Sequence, residues 1–325
     1  MPAFAGLILL FVLLMVFVAA VLRTNRLKAR YARWAAYAVA CLAIPAVTAA
    51  LALVSAGLIR AHAPGAAQAP SLKVAVTADR VERGFEITES FCSDCHSPHE
   101  NARLTGGVDL GAHLGTPLGS FVSANLTPAG ALSHWTDGEI FRAIRHGVSA
   151  DGHKLFLMSL TNAAHLSDDD IQAVIAYLRS MPAAGSPTPE PPDHFTALGA
   201  ALYGLMALKH PETPVEGVVT APERGATAQF GGYIVSYNDC ALCHGPDLSG
   251  GVPGQLPPIG PDLALVRQWT LDQFIATFHT GVDPNGHKIE GRMPWKEIGT
   301  MKDDDLAALY AYLIQATGKS GAPNS

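Results

Sequence analysis

Charge is scarce in this 325-residue chain: 15% of its residues are Asp, Glu, Lys or Arg, against 49% hydrophobic. No acidic residue precedes Ile59, so all 28 acids lie beyond it. So apolar a start argues that part of the chain lies in lipid. Basic clusters are missing from the remainder, where 17 basic residues meet 28 acids for a net −11, which argues against nucleic acid. That acidic balance either speeds encounter with basic partners or only keeps the polar part soluble. No Ser/His/Asp set, carboxylate pair or glycine-rich nucleotide loop supplies a catalytic site. Cysteine is sparse too: there are five, and four of them form two pairs.

The apolar surplus sits at the start. Ala3 to Leu22 is an uncharged run of the ~20 residues needed to cross a bilayer core. Ala35 to Ile59 is a second, interrupted by Pro45, which a membrane helix tolerates as a kink. Between them lie Arg23, Arg26, Lys28, Arg30 and Arg33 with no acid, so the positive-inside rule puts this loop in the cytoplasm and both flanks outside. A cleaved signal peptide would want basic residues ahead of the apolar core, and Met1-Pro2-Ala3-Phe4 has none. A helical hairpin anchor is therefore expected over residues 1–60, with Cys41 as a small apolar residue inside its second helix.

The paired cysteines carry the chemistry. Cys92-Ser93-Asp94-Cys95-His96 and Cys240-Ala241-Leu242-Cys243-His244 both read Cys-x-x-Cys-His, the c-type haem attachment pattern. Two thiols on one helical turn add to the two vinyl groups of a porphyrin, and the next histidine supplies the proximal nitrogen to iron. A thioredoxin-like pair needs a βαβ setting, and no strand pattern surrounds either copy. A four-cysteine zinc site needs its half-sites roughly 15–20 residues apart, far closer than these.

Around the cysteines the chain repeats itself, which reads as two copies of one unit. Gly84-Phe85 and Gly232-Tyr233 each stand eight residues before the first cysteine. Trp135-Thr136, Gly147-Val148 and Gly152-His153-Lys154 return 134 residues later as Trp269-Thr270, Gly281-Val282 and Gly286-His287-Lys288. Asp168-Asp169-Asp170 and Tyr177-Leu178 return 135 later as Asp303-Asp304-Asp305 and Tyr312-Leu313. Each unit reads as helix, haem site, long loop, helix, loop, helix. The last helix is capped by Ser167 in the first copy, and in both the acids suit its positive N-terminus. Apolar Ile171, Val174, Ile175 and Leu178 follow at helical spacing. Residues 61–77 read as a tether and 184–223 as a proline-rich linker, with a short tail at 319–325. The linker's apolar stretch Phe195 to Leu208 is too short to span a bilayer. It reads as a helix packed between the two units or as a surface for membrane or a partner.

The two units, 78–183 and 224–318, resemble class I cytochromes c. The resemblance implies an all-α fold: two N-terminal transmembrane helices followed by two tandem class I cytochrome c domains. In that fold the first helix of each unit would cross the last at Tyr177 or Tyr312. The first unit also resembles the cytochrome subunits of membrane-bound, quinone-reducing alcohol and gluconate dehydrogenases. That likeness is carried by Ser123-Ala124-Asn125-Leu126-Thr127-Pro128, Trp135-Thr136-Asp137-Gly138-Glu139 and Ile144-Arg145-His146-Gly147-Val148. Those subunits usually carry three haems, whereas this chain has two attachment patterns.

The expected cofactors are two covalently attached haem c, bound through Cys92, Cys95, Cys240 and Cys243, with His96 and His244 as proximal iron ligands. Gly291-Arg292-Met293-Pro294 looks like the Met-Pro ligand stretch of class I cytochromes c, and Met158 stands 135 residues before Met293. These two methionines are the expected sixth ligands, since a thioether there completes a low-spin iron. The alternatives are Met181, His165 and His153 in the first unit, and Met301, His287 and His279 in the second. His153 and His287 are expected to shape the loop before the ligand, and His99 to be a surface residue. Trp135 and Trp269 suit either a propionate hydrogen bond or helix N-terminal packing.

The expected location is the bacterial cytoplasmic membrane with the haem domains in the periplasm. The expected activity is single-electron transfer, as shuttle or relay subunit, with a quinol-oxidising complex, a dehydrogenase or a terminal oxidase or reductase as partner. The alternatives are the electron-accepting subunit of a quinone-linked dehydrogenase and, further off, a dihaem peroxidase.

Overall fold

A computed structural model of the chain describes residues 2–24, 26, 28–98, 103–113, 115–188, 193–209, 215–255 and 258–316. The helices are α1 (Ala3–Thr24), α2 (Arg30–His62), α3 (Ala78–Ile87), α4 (Ser93–His96), α5 (Leu110–His113), α6 (Asp137–His146), α7 (Asp168–Ser180), α8 (Ala197–Lys209), α9 (Ala228–Tyr237), α10 (Cys240–His244), α11 (Leu271–Thr280), α12 (Trp295–Ile298) and α13 (Asp303–Ala316). Strands β1 (Gly119–Phe121) and β2 (Asp193–Phe195) and several short 3₁₀ and π-helical turns lie between them. The chain divides into two compact units: Met1–Pro64 with Asp109–Val122 and Pro189–Thr213, and Gly65–Val108 with Ser123–Thr188 and Pro214–Ser325.

In the first unit, α1 and α2 are each long and apolar enough to cross a membrane. Helix α2 outruns its apolar stretch because Arg30–Trp34 and Arg60–His62 continue it at either end. Helix α8 packs along α2 and also touches α1. A Cβ on Gly57 would sit 2.7 Å from the Ala200 carbonyl carbon, so the two backbones meet directly. The apolar stretch at 195–208 therefore packs on the hairpin. What seats it is the ribbon of β1 and β2, antiparallel with Gly119 opposite Phe195, an element absent from an all-helical expectation. Phe121 and Phe195 meet edge-on at 5.1 Å, and Tyr203 stacks on Phe195 at 5.7 Å under the Arg60 guanidinium.

The second unit contains both repeats apart from Asp109–Val122, and each repeat is built on a crossing of its first and last helix. Helix α3 crosses α7 and α9 crosses α13. At the first crossing, Gly84 lies against Ala173 and Tyr177; at the second, Gly231 lies against Ala308 and Tyr312. The crossings fall where the resemblance put them, but the register differs from the spacing rule. Gly84 corresponds to Gly231, not Gly232, because the second repeat has one more residue between its crossing and its first cysteine. Apolar faces of the four helices close one continuous core that includes Ile87, Ile171, Ile175, Phe230, Ile234, Leu306 and Leu309.

The repeats separated by 134 residues have a common local cause. Thr136 and Thr270 are N-caps of α6 and α11, each in a reciprocal capping box with Glu139 or Gln273. Gly147 and Gly281 end these helices at φ 60° and 69°, a left-handed conformation that favours glycine. The preceding tryptophans sit half-buried where the chain enters each helix. The stretch read as a tether is docked from Gly65 onward: Gly65 N–H donates to Gly152 O (2.8 Å) and Val74 N–H to Asp137 (2.9 Å). The linker is pinned likewise, since buried Asn125 donates through Nδ2 to Ala184 O (2.8 Å) and Ser186 O (3.0 Å).

Candidate haem-attachment sites

Helix α3 runs into the first motif without a break. Its last turns widen to a π-helical turn at Thr88–Cys92, then α4 carries Cys95 and His96. The hydroxyls of Thr88, Ser90 and Ser93 donate back to the carbonyls of Gly84 (2.5 Å), Glu86 (2.7 Å) and Glu89 (2.5 Å). Such back-bonding bends a helix and accompanies a widened turn. The second motif is reached differently. Helix α9 stops at Tyr237, Asn238 closes it through Ile234 O (3.1 Å from N–H), and α10 starts anew at Cys240.

The histidines of the two motifs are then oriented alike. Nδ1 of His96 donates to Ala124 O at 2.8 Å, and Nδ1 of His244 to Pro261 O at 2.8 Å. This tautomer leaves Nε2 with its lone pair, as a metal-ligating histidine requires. Burial holds the His96 imidazole below its ordinary pKa, although the Ala124 carbonyl works the other way. A Cβ on Gly260 would lie 2.7 Å from the His244 ring, so only glycine lets that loop pass.

The loop that holds each histidine is itself repeated, which the reading along the chain missed. Leu104-Thr105-Gly106-Gly107-Val108 and Leu248-Ser249-Gly250-Gly251-Val252 share one pattern 144 residues apart. Gly106 N–H and Gly250 N–H donate to the carbonyls of His96 and His244, both at 2.8 Å. Leu104 and Leu248 are buried and hold positive φ (45° and 62°), and their carbonyls accept from Leu126 and Leu263. The signal was legible, but it sits in a separate register from the cysteines and from the 134-residue repeat.

The thiols of Cys92, Cys95, Cys240 and Cys243 are half-buried and unpaired. Burial pushes Cys92, Cys95 and Cys240 up to about 12 and raises Cys243. A disulfide-exchange pair needs a depressed thiol pKa, so this setting disfavours thioredoxin-like chemistry. Among the described residues no three His, Cys, Asp or Glu side chains gather as a metal cluster, which disfavours zinc. Two adjacent half-buried thiols and a histidine with free Nε2 fit a thioether-bound haem at each motif.

Met158 opens a 3₁₀ turn (Met158–Leu160) and Met293 precedes Pro294, the N-cap of α12; both are half-buried. Each follows a tight turn: Val148 bridges Lys154 and Val282 bridges Lys288, with Leu155 N–H on Gly147 O (2.7 Å) and Ile289 N–H on Gly281 O (2.8 Å). The repeated Gly-His-Lys forms these turns. Exposed His153 and His287 pair with Asp151 (2.5 Å) and Asp283 (3.1 Å). Met181 and Met301 are core residues, His165 is exposed, and His279 pairs with Asp303 at 3.3 Å. His99 lies outside the described residues.

The two motifs approach one another. Phe91, just before Cys92, meets Tyr237 edge-on at 5.9 Å. Asp239, just before Cys240, accepts from Asn162 N–H at 2.8 Å. Burial lifts the Asp239 carboxyl to about 6, and its charge adds to the upward shift of both Cys95 and Cys240.

Comparison with known proteins agrees with this geometry. Residues 231–317 match the family model described as cytochrome c, and 79–178 the one described as cytochrome c oxidase, cbb3-type, subunit III. The chain therefore carries two cytochrome c domains in an otherwise helical protein with an apolar N-terminal hairpin, and such domains imply covalently bound haem c. It is 26% identical to the fructose dehydrogenase cytochrome subunit of Gluconobacter japonicus over 75% of this chain and 50% of that protein. It is 24% identical to the cytochrome c subunit of the quinone alcohol dehydrogenase of Komagataeibacter europaeus, over 72% of this chain and 55% of that subunit. A diheme cytochrome c-type protein of Cereibacter sphaeroides is 27% identical over 68% of this chain and 80% of its own length. The chain spans about half the length, or less, of the dehydrogenase subunits that it matches.

Proposed function

We propose that this chain is a membrane-anchored dihaem cytochrome c that passes single electrons, as a relay subunit or a tethered shuttle. The observation that carries the reading is the juxtaposition of the two attachment motifs through Phe91, Tyr237, Asn162 and Asp239. Bound haem supplies an iron that alternates between Fe(II) and Fe(III). Cys92 and Cys95 tether one haem, Cys240 and Cys243 the other; His96 and His244 ligate iron, and Met158 and Met293 complete the coordination. Half-buried surroundings limit water at each site, and the Ala124 and Pro261 carbonyls hold the imidazole planes. The hairpin α1–α2 lies in the inner membrane with its basic turn inward, which leaves the haem domains in the periplasm.

The names of the relatives favour one version, in which the partner is a dehydrogenase that delivers electrons from an oxidised substrate. Mild-detergent extraction followed by haem staining and mass spectrometry tests it. A stoichiometric dehydrogenase supports the subunit reading; a solitary band with two haems supports the shuttle. Carbon monoxide binding at neutral pH to one haem of the intact chain would instead support the peroxidase reading, which needs a displaceable ligand.

A further inference from the structure

The third acid of each repeated Asp-Asp-Asp run is out of place for a helix-capping role. Asp168, Asp169, Asp303 and Asp304 are at least partly exposed, while Asp170 and Asp305 are buried at 8% and 4% exposure. Buried carboxylates need partners, and each has an arginine from its own repeat. Arg83 forks onto Asp170 with Nε at 2.8 Å and Nη2 at 2.9 Å. Arg224 forks onto Asp305 at 3.2 and 2.8 Å.

These pairs also reach across to each other. Arg83 Nη1 lies 3.7 Å from Asp305 of the second repeat, and Arg224 Nη2 lies 2.8 Å from Glu86 of the first. Lys302 reaches Glu82 at 2.7 Å and Glu86 at 2.6 Å. The Tyr233 hydroxyl donates to Asp170 at 2.6 Å and accepts from Ser167 N–H at 2.8 Å. Every one of these six contacts joins one haem domain to the other. The Arg83 guanidinium also sits 5.9 Å above the Phe230 ring.

The cluster stands close to the chemistry along two helices. Glu86 precedes Cys92 by six residues of unbroken helix, roughly 9 Å of rise, and Tyr233 precedes Cys240 by seven residues across the break at Asn238. Arginine suits such a place because its rigid planar fork grips one carboxylate bidentately while a further N–H faces a second acid, a fixed geometry that a rotating ammonium does not impose. Exposed ion pairs contribute little, but removing one member of a buried set leaves charges uncompensated. Without Arg83, the buried Asp170 carboxylate would lose its bidentate partner and keep the Tyr233 hydroxyl, while Arg224 would still serve Asp305 and Glu86.

We infer that the Arg83 cluster is a clamp that holds the two haem-attachment segments at one separation and orientation, with Arg83 and Tyr233 as positioning residues for electron passage between them. This rests on the dihaem reading above. The apolar contacts of Phe91 with Tyr237 set the approach, and the charged clamp sets which way the domains face, since directed bonds fix orientation where apolar packing does not.

The test uses the full haem-loaded chain in detergent. Haem content is measured first as the pyridine haemochrome, and fewer than two haems per chain would refute the dihaem reading itself. Circular dichroism in the Soret region then reads coupling between the haems, which depends on their separation and relative orientation. The wild type should give a two-signed Soret signal. Arg83→Gln should lose most of its amplitude with the absorption spectrum unchanged, Tyr233→Phe should lose a smaller part, and Arg83→Lys should fall between wild type and Arg83→Gln. If Arg83→Gln does not fold, Tyr233→Phe decides, since it strands no charge. Calorimetry gives a readout independent of haem coupling: one unfolding transition for the two domains in the wild type, and two in Arg83→Gln. A dihaem wild type with no two-signed signal, or variants that keep both the signal and the single transition, would overturn the clamp.

Discussion

Alanine at Gly231 and at Gly232 should have unequal consequences, although the two sites are neighbours on one helix. A Cβ on Gly231 would fall 2.5 Å from the Ala308 carbonyl carbon and 2.9 Å from Tyr312 Cβ, against an ordinary contact of 3.4–4 Å. The obstacle is backbone, so α9 and α13 must move apart by about 1 Å, lifting Phe230 and Ile234 from Leu306 and Leu309. Overpacking of this kind costs about 1–3 kcal/mol, and the upper end applies where backbone must yield. Alanine recovers about 0.8–1 kcal/mol of helix propensity over glycine, leaving a net loss of about 2 kcal/mol. For a cooperative body of this size that lowers Tm by about 4–8 °C. A Cβ on Gly232 meets only the Tyr312 ring, 3.0 Å from Cδ2 and Cε2, and a ring can swing. The propensity gain then roughly cancels the contact, and Tm should stay within about 2 °C. Calorimetry of the haem-loaded chain measures both. A Gly232→Ala loss equal to or larger than that of Gly231→Ala would refute the helix register and restore the eight-residue spacing rule.

Further outcomes follow from the same geometry. Gly84→Ala should destabilise the first domain much as Gly231→Ala does the second, since its Cβ would lie 2.5 Å from the Ala173 carbonyl carbon; urea unfolding measures it. Asn125→Ala removes two bonds to the 184–186 segment and the bond from Thr127 N–H, and should cost about 2–3 kcal/mol in a urea titration. Met293→Ala should convert one of two low-spin haems to high-spin, and an unchanged optical and paramagnetic resonance spectrum would remove Met293 from the iron. Asp239 titrates near 6 when folded against 3.8 ordinarily, so the folded state binds its proton more tightly than the unfolded. Its contribution is full below about pH 4 and is lost as pH rises through about 6. Asp239→Asn should flatten stability over that window, and an unaltered pH profile would count against the burial of this carboxyl.

Much of the local structure was legible because it depends on neighbours in sequence. The Cys-x-x-Cys-His spacing, the Thr136 and Thr270 caps, the glycine stops at 147 and 281 and the long apolar runs each need only a few consecutive residues to act. The Leu-x-Gly-Gly-Val repeat belongs with them and was overlooked only because its offset differs from the others. The apolar helix at 197–209 could not be placed by reading: composition marks a face for burial, but the β1–β2 pairing that seats α8 on the hairpin joins residues far apart in the chain. The same holds for the tether, whose Gly65 and Val74 bonds go to partners 87 and 63 residues away.

Sequence by itself determined the paired Cys-x-x-Cys-His motifs, the helical content and the duplication, since thiol spacing, capping and apolar period are written along one segment at a time. Only tertiary structure decided that Gly231 and not Gly232 makes the crossing, because the extra residue near Asn238 is absorbed in a helix break that spacing cannot show. It alone decided that Ala124 and Pro261 orient the histidines, since a backbone carbonyl has no side-chain signature. And it alone turned Asp170 and Asp305, which read as helix-capping acids, into the buried junction of two domains, because burial of a charge depends on what the rest of the chain brings against it.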